Sequence, residues 1–237
     1  MIFYFIRHGD PIYNPNSLTS LGLEQANALS KRLALCGLDE IYCSPSNRAV
    51  QTAMPTCKLI NKQMTLLEWA DEDLAWQEFM VEIDVKCNWV FQCDEYVDLF
   101  RDKELTLLGN KWYNHKKFVG TKIKSGIERI NREVDDFFLS LGFEHDRKKA
   151  RYKVVTPCNK RVALFAHAGF GLAFLSSVLD IPYYEFCTRF DFGHSSYTVI
   201  NFSENKEYSY PKILQLSNDS HLYKEGILTP YQNKIKI

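Results

Sequence analysis

Ile2-Phe3-Tyr4-Phe5-Ile6 runs without a polar residue into Arg7-His8-Gly9, and the reading of this stretch decides the fold. A continuous apolar and aromatic run of this length predicts a strand buried on both faces, as in a parallel sheet covered by helices on each side. Ending such a strand in arginine, histidine and glycine delivers a cation, an imidazole and an approachable backbone to the carboxyl edge of the sheet. Ligands of open α/β sheets bind at that edge.

Downstream, the polar stretch Gly9 to Ser17, marked by Pro11 and Pro15, predicts a loop. Thr19 is a candidate helix N-cap, Gly22, Ala26, Leu29 and Leu33 recur at helical spacing, and Gly37 closes the helix. Glu40 to Ser44 reads as a second strand, and Ser46 or Asn47 as the cap of a helix reaching about Ile60. Strand, helix, strand, helix is the α/β pattern.

The region from Thr65 to Tyr113 is acidic and aromatic, with Trp69, Trp76, Trp89 and Trp112 and no clean periodicity. It predicts short helices and loops over the carboxyl edge of the sheet, a cap-like insertion at about 70–125 in a single domain spanning 1–237. Ile127, Ile130, Val134, Phe137 or Phe138, and Leu141 share one helix face. The basic run Arg147 to Lys153 reads as a solvated loop. Arg161 to Ala166 is a further buried strand, Gly169 to Leu179 a helix stopped by Pro182, and Ser196 to Phe202 and Lys212 to Leu216 the last strands. The polar stretch after Ser217 reads as loose.

Composition narrows the classes. A chain of 237 residues, 46% hydrophobic and 14% aromatic, suffices for one large α/β domain with a filled core and leaves little for a second. Lys plus Arg and Asp plus Glu balance at 29 each, so no global field favours nucleic acid or an anionic membrane, and any phosphate affinity is local. Seven cysteines, at 36, 43, 57, 87, 93, 158 and 187, form no C-x-x-C pair and no zinc spacing. Reduced thiols in a cytoplasmic protein, with no metal and no cofactor, are the expectation. The apolar start is too short for a signal sequence and no run approaches the ~20 residues of a membrane span. Oligomeric state is left open.

Four motifs then stand in order: Arg7-His8-Gly9; Leu18-Thr19-x-Leu21-Gly22-x-x-Gln25-Ala26; Ser44-Pro45-x-x-Arg48-Ala49-x-Gln51-Thr52-Ala53; and Ala166-His167-Ala168-Gly169. Together they resemble branch 1 of the histidine phosphatase superfamily, the phosphoglycerate-mutase-like proteins, over roughly residues 1–70 and 160–202. The resemblance implies a three-layer α/β sandwich with a mostly parallel central sheet flanked by helices. It also implies a metal-independent phosphomonoesterase that hydrolyses a small-molecule phosphate ester through a phosphohistidine on His8.

Phosphoryl transfer needs charge neutralisation around three equatorial oxygens, an in-line nucleophile and a proton for the leaving oxygen. By resemblance, Arg7 and Arg48 clamp the phosphoryl oxygens, His8 attacks, and His167 is the complementary cation or donor. Asn14, six residues after His8, sits where the family binds phosphate, though a turn-stabilising asparagine is an equal reading. Ser44 and Thr52 are expected to brace the turn and helix of their own motif.

The general acid is assigned to Glu68, because Leu67-Glu68-Trp69 resembles the Phe-Glu-Trp element of two-histidine phosphatases and Trp69 could wall an apolar pocket. Glu72 is the alternative. Trp76, Trp89, Phe91, Tyr96 and Trp112 could roof the pocket and stack on a sugar, nucleobase or phenyl ring, or serve as core. Asp10 departs from the family, which more often carries glutamate or glutamine after the glycine. The arginine- and proline-rich insertion of phosphoglycerate mutases is missing, which points to hydrolysis. A mutase-type phosphotransferase and a non-catalytic regulatory module of the same fold are the alternatives.

Overall fold

In the computed structural model, which describes residues 1–83, 85–203 and 207–229, β1 (Ile2–Arg7) sends Phe3 and Phe5 into one apolar cluster and Tyr4 and Ile6 into another. Successive side chains of a strand point to opposite faces, so one aromatic run fills both halves of the core. β2 (Pro11–Tyr13) and β3 (Asn16–Leu18) pair as a hairpin where a loop is predicted. α1 (Ser20–Cys36) follows, capped by Thr19, whose hydroxyl accepts from Gly22 N at 3.0 Å, and closed by Gly37 at φ 70°. β4 (Glu40–Cys43), α2 (Asn47–Ile60) and β5 (Met64–Leu66) complete the first part of the chain.

Short elements come next: α3 (Glu72–Phe79), the hairpin of β6 (Met80–Ile83) and β7 (Lys86–Trp89), α4 (Asp94–Phe100) and α5 (Lys103–Thr106). The long amphipathic α6 (Ile123–Ser140) leads into a third hairpin, β8 (Phe143–Asp146) and β9 (Arg151–Val154). Then come β10 (Arg161–Ala166), α7 (Ala168–Val178), α8 (Tyr183–Phe186), β11 (Tyr197–Asn201), β12 (Tyr208–Ser209), β13 (Lys212–Asn218) and α9 (Ser220–Lys224). The stretch expected to be loose thus contains a helix that buries His221 and Leu222; residues 230–237 lie outside the described residues.

The central sheet has the order β13-β11-β1-β10-β4-β5, with β1, β10, β4 and β5 mutually parallel and β11 antiparallel to both its neighbours. On one face Leu29 and Leu33 of α1 and Ala49, Ala53 and Cys57 of α2 meet Tyr4, Ile6, Ala163 and Phe165. On the other, Ile130, Val134 and Phe138 of α6 and Phe174 of α7 meet Phe3, Phe5 and Leu164. This is the expected three-layer sandwich. The register pairs Ile2 with Arg161 through to Arg7 with Ala166, so the strands end level and set His8 beside His167.

The basic run Arg147 to Lys153 is a solvated loop only in its exposed turn, Lys148 to Ala150. It forms the turn and second strand of the β8–β9 hairpin, and Arg147 donates from Nε and Nη2 to Asp135 at 2.9 and 2.8 Å and from Nη2 to Ser177 Oγ at 2.9 Å. His145, its side chain fully buried, is clasped between Asp135 Oδ1 and Asp180 Oδ2, each at 2.8 Å, and its ring stacks on Tyr152 at 4.0 Å. Burial pushes the imidazole's pKa down, but the bonds to Asp135 and Asp180 more than reverse this and raise it above its ordinary value. For Asp135, burial raises the carboxyl, and the bonds from His145 and Arg147 bring it below its usual value.

A histidine whose folded pKa is raised stabilises fully below the unfolded value of about 6.5 and loses that contribution as pH rises through the folded value. His145→Asn is expected to lower unfolding stability by about 2 kcal/mol at pH 5.5. Urea titrations of the two proteins should show that difference narrowing by pH 8.5, and a difference that widens with pH would contradict the clasp.

Candidate active site

The level ends of β1 and β10 bring Arg7, His8 and His167 together, and the first turn of α2 adds Arg48. Arg7, His8 and Arg48 are each no more than 5% exposed, and His167 is 0% exposed. His8 Nδ1 lies 2.7 Å from the carbonyl oxygen of Gly9. A carbonyl can only accept, so Nδ1 carries the proton and Nε2 the lone pair. Arg48 Nε stands 3.3 Å from that lone pair. Burial, then the neighbouring His167, Arg7 and Arg48, hold His8 well below the usual imidazole range.

His167 Nε2 and Ser44 Oγ are 2.7 Å apart, and the His8 and His167 rings meet edge-on at 5.1 Å. Burial and the charges of Arg48 and Arg7 push His167 well down. Of the two expected parts for His167, cation or donor, this electrostatic setting favours the neutral donor.

The second and third motifs brace this floor. A Cβ on Gly9 would come within 2.7 Å of Gly22 O, and one on Gly22 within 2.2 Å of Asp10 O, so the chain after His8 lies backbone to backbone on α1. Gly9 N donates to Thr52 Oγ1 at 3.0 Å, Asp10 N to Gln25 Oε1 at 2.8 Å and Leu18 N to Gln51 Oε1 at 2.7 Å. Each motif side chain satisfies a backbone amide of the segment between β1 and α1.

His194, which the sequence reading missed, joins the cluster. Arg7 donates from Nη1 to Phe192 O and from Nη2 to His194 Nε2 at 2.9 Å, and the His194 ring stacks over His8 at 5.8 Å. Burial and the Arg7 charge lower His194 to about 3. Its other nitrogen faces Asp10 Oδ1 at 3.4 Å, giving the shortened acidic residue after Gly9 a place at the site. The available signal was a histidine in Gly193-His194-Ser195-Ser196 just ahead of an apolar strand.

Two sequence assignments move. Asn14 sits exposed at the tip of the β2–β3 hairpin, whereas Asn16, two residues on, lines the cavity. Asn16 Oδ1 accepts from Arg48 N at 3.2 Å and its amide donates to Ser46 Oγ at 3.0 Å, tying the hairpin to the start of α2. Glu68 is exposed and absent from the cavity lining. The cause is Trp69, which turns inward against Phe137, Phe170 and Phe174, so it packs on the core and does not line this cavity.

Glu72 lies in the cavity wall. Its Oε1 accepts from Gly169 N at 2.9 Å and its Oε2 from Phe170 N at 2.7 Å, in the first turn of α7. Burial raises its carboxyl above the ordinary value against the opposing pull of those amides and of Arg48 and Arg7. α3, which carries it, is pinned to α6 by Arg129, whose Nε and Nη2 reach Glu78 at 2.8 and 2.6 Å.

The cavity above this floor measures about 850 Å³. Trp76, Trp89 and Phe91 line it; Trp112 is instead buried against Phe100, Phe118 and Tyr183, and Tyr96 packs on Phe118. Among the described residues no helix is long and apolar enough to cross a membrane.

Comparison with known proteins agrees with the motifs. Residues 3–78 match the sequence model of the histidine phosphatase superfamily (branch 1). The fold is similar to that of a phosphoserine phosphatase from Entamoeba histolytica in complex with phosphoserine: TM-score 0.59, 18% identity, 93% of this chain and 98% of that one covered. It is also similar to a mycobacterial glucosyl-3-phosphoglycerate phosphatase in complex with VO3 (TM-score 0.55, 16% identity, 92% and 98% covered). A third similar structure is a putative alpha-ribazole-5'-P phosphatase from Escherichia coli (TM-score 0.57, 17% identity, 92% and 98% covered). No match is found among curated proteins. The chain therefore has the histidine phosphatase fold, and its first third carries that superfamily's sequence pattern.

The exchange of asparagines has a measurable consequence. Asn16→Ala should weaken vanadate binding by about tenfold, the scale of one hydrogen bond in a charged site, while Asn14→Ala should stay within about twofold. Calorimetric titration checks both, and equal losses from the two variants would restore Asn14 to the site.

Proposed function

We propose that this chain is a phosphomonoesterase that carries the phosphoryl group transiently on His8. The observation that supports this most is the placement of the His8 ring, Nδ1 against Gly9 O and Nε2 beside Arg48 Nε, which fits a neutral imidazole with its proton on Nδ1. An uncharged nitrogen is the nucleophilic form, and here it is buried among cations that suit a phosphoryl group.

The reaction follows from the groups present. Arg7 and Arg48 bind the phosphoryl oxygens, with Asn16 at the edge. His8 Nε2 attacks phosphorus as the ester P–O bond breaks, and Glu72 gives its proton to the leaving oxygen. His167, neutral, donates a hydrogen bond to the developing negative charge. Once ionised, the Glu72 carboxylate is received by the amides at the start of α7, where a helix end favours negative charge. Water then attacks phosphorus, Glu72 takes back a proton from it, and the P–N bond breaks to release inorganic phosphate and regenerate His8.

Hydrolysis is favoured over a mutase-type transfer by the charge of the cavity. Beyond Arg7 and Arg48, the one further arginine or lysine among its described lining residues is Arg189, which donates to Glu185 O at 3.1 Å, and Asp73 and Asp191 line the same rim. That is a poor second site for a bisphosphorylated intermediate. The phosphatase names of the similar structures support the same reading. The seven unpaired cysteines suit the reducing cytoplasm.

Two experiments test the proposal. His8→Ala should lower turnover of a phosphate monoester by at least ~10³-fold; near-normal hydrolysis would end it. Glu72→Gln should slow alkyl phosphates by ~10²–10⁴-fold and nitrophenyl phosphate far less, since a nitrophenolate leaves without a proton. Glu68→Gln should change neither much. Equal slowing of both ester types by Glu72→Gln, or the larger loss in Glu68→Gln, would overturn the assignment of the acid.

A further inference from the structure

The cavity is larger than the phosphoryl chemistry requires. Its volume of about 850 Å³ falls in the range of pockets that enclose whole drug-sized ligands, whereas a phosphoryl group on a three-carbon alcohol or amino acid would leave most of it unfilled. The surplus space is bounded by aromatic rings. Trp76, from α3, meets Trp89 perpendicularly at 5.0 Å and 81°, and Trp89 stacks with Phe91 at 5.5 Å and 24°. All three are half-buried and border the cavity.

Core packing does not explain Trp76. Trp89 and Phe91 lean on the larger apolar cluster, but Trp76 packs against neither cluster, and its ring neighbour is Trp89. Nor is the wall loosely set. Trp89 rests on Gly169, where a Cβ would come within 2.4 Å of the indole, and Gly169 N also holds Glu72 at 2.9 Å. The rings therefore stand beside the carboxyl group that serves the leaving oxygen.

The charge around the surplus space is mixed. Asp73 and Asp191 line it with the half-exposed Arg189, so a strongly anionic leaving group finds no concentrated positive field there. A flat uncharged ring matches what the wall offers, because aromatic faces and edges reward ring stacking beyond simple burial.

On the reading of the floor as a phosphoryl site, we propose that the substrate is a monophosphate ester whose leaving group carries an aromatic or heteroaromatic ring seated against Trp76, Trp89 and Phe91. Small polar esters such as phosphoserine are poor fits.

The test uses pairs matched in alkyl chemistry: 3-phenylpropyl and propyl phosphate for turnover, and the corresponding non-hydrolysable phosphonates for binding by calorimetry. The ring-bearing phosphonate should bind at least about tenfold more tightly, and the ring-bearing ester should show a similar advantage in kcat/KM, carried by KM. Trp76→Ala should reduce both advantages to about threefold or less, and Trp76→Phe should restore most of them. Equal binding of the two phosphonates, an undiminished preference in Trp76→Ala, or phosphoserine turned over as well as the phenylpropyl ester would overturn the proposal. Should neither ester be hydrolysed while the ring-bearing phosphonate keeps its advantage, the hydrolytic reading would fall and the ring site would stand.

Discussion

Two imidazoles and two guanidiniums share one buried floor, and the rest of the site depends on the imidazoles being neutral. Like charges this close in a poorly solvated setting repel by several kcal/mol, and arginine does not give up its proton. Burial first, and the like charges beside them second, therefore take the protons from His8 and His167, both driven well below the ordinary imidazole range. The Gly9 carbonyl then selects the tautomer of His8. The crowding of positive charge that adds to the effect of burial on the histidines also creates the affinity for an anion.

Holding four such groups together requires a rigid frame. The parallel register of β1 and β10 fixes His8 beside His167. The Gly9–Gly22 contact and the side chains of Gln25, Gln51 and Thr52 lock the chain that follows. His194 and Phe192 O hold the Arg7 guanidinium from the antiparallel side of β1. The motifs thus divide between groups that can meet a phosphoryl group and groups that keep those in place.

Much of this was legible in the sequence because it rests on strong local signals. A five-residue apolar run, the Thr19 cap and the Gly37 stop define β1 and α1, and Arg7, His8, Arg48 and His167 sit at element ends that the pattern locates to within a residue. What failed depended on facing. A two-residue offset in a tight hairpin separates Asn14 from Asn16, and no periodicity over three-residue strands reveals which is turned inward. Glu68 was lost to the inward turn of Trp69, a tertiary choice. His194 arrives from the loop ahead of the antiparallel β11, 187 residues from Arg7 in sequence, and only its place just before an apolar strand signals it. The aromatic segment was divided likewise by packing: Trp112 became core and Trp76 cavity wall.

The measurement that bears most directly on His8 as the phosphoryl carrier is rapid-quench trapping during turnover of a phosphate monoester, followed by mass spectrometry and phosphorus NMR under alkaline conditions that preserve phosphohistidine. The account predicts up to one acid-labile phosphoryl group per chain, on Nε2 of His8, formed and lost at rates that match turnover. Steady hydrolysis with no phosphoryl group on His8, or with the group on another residue, would contradict it.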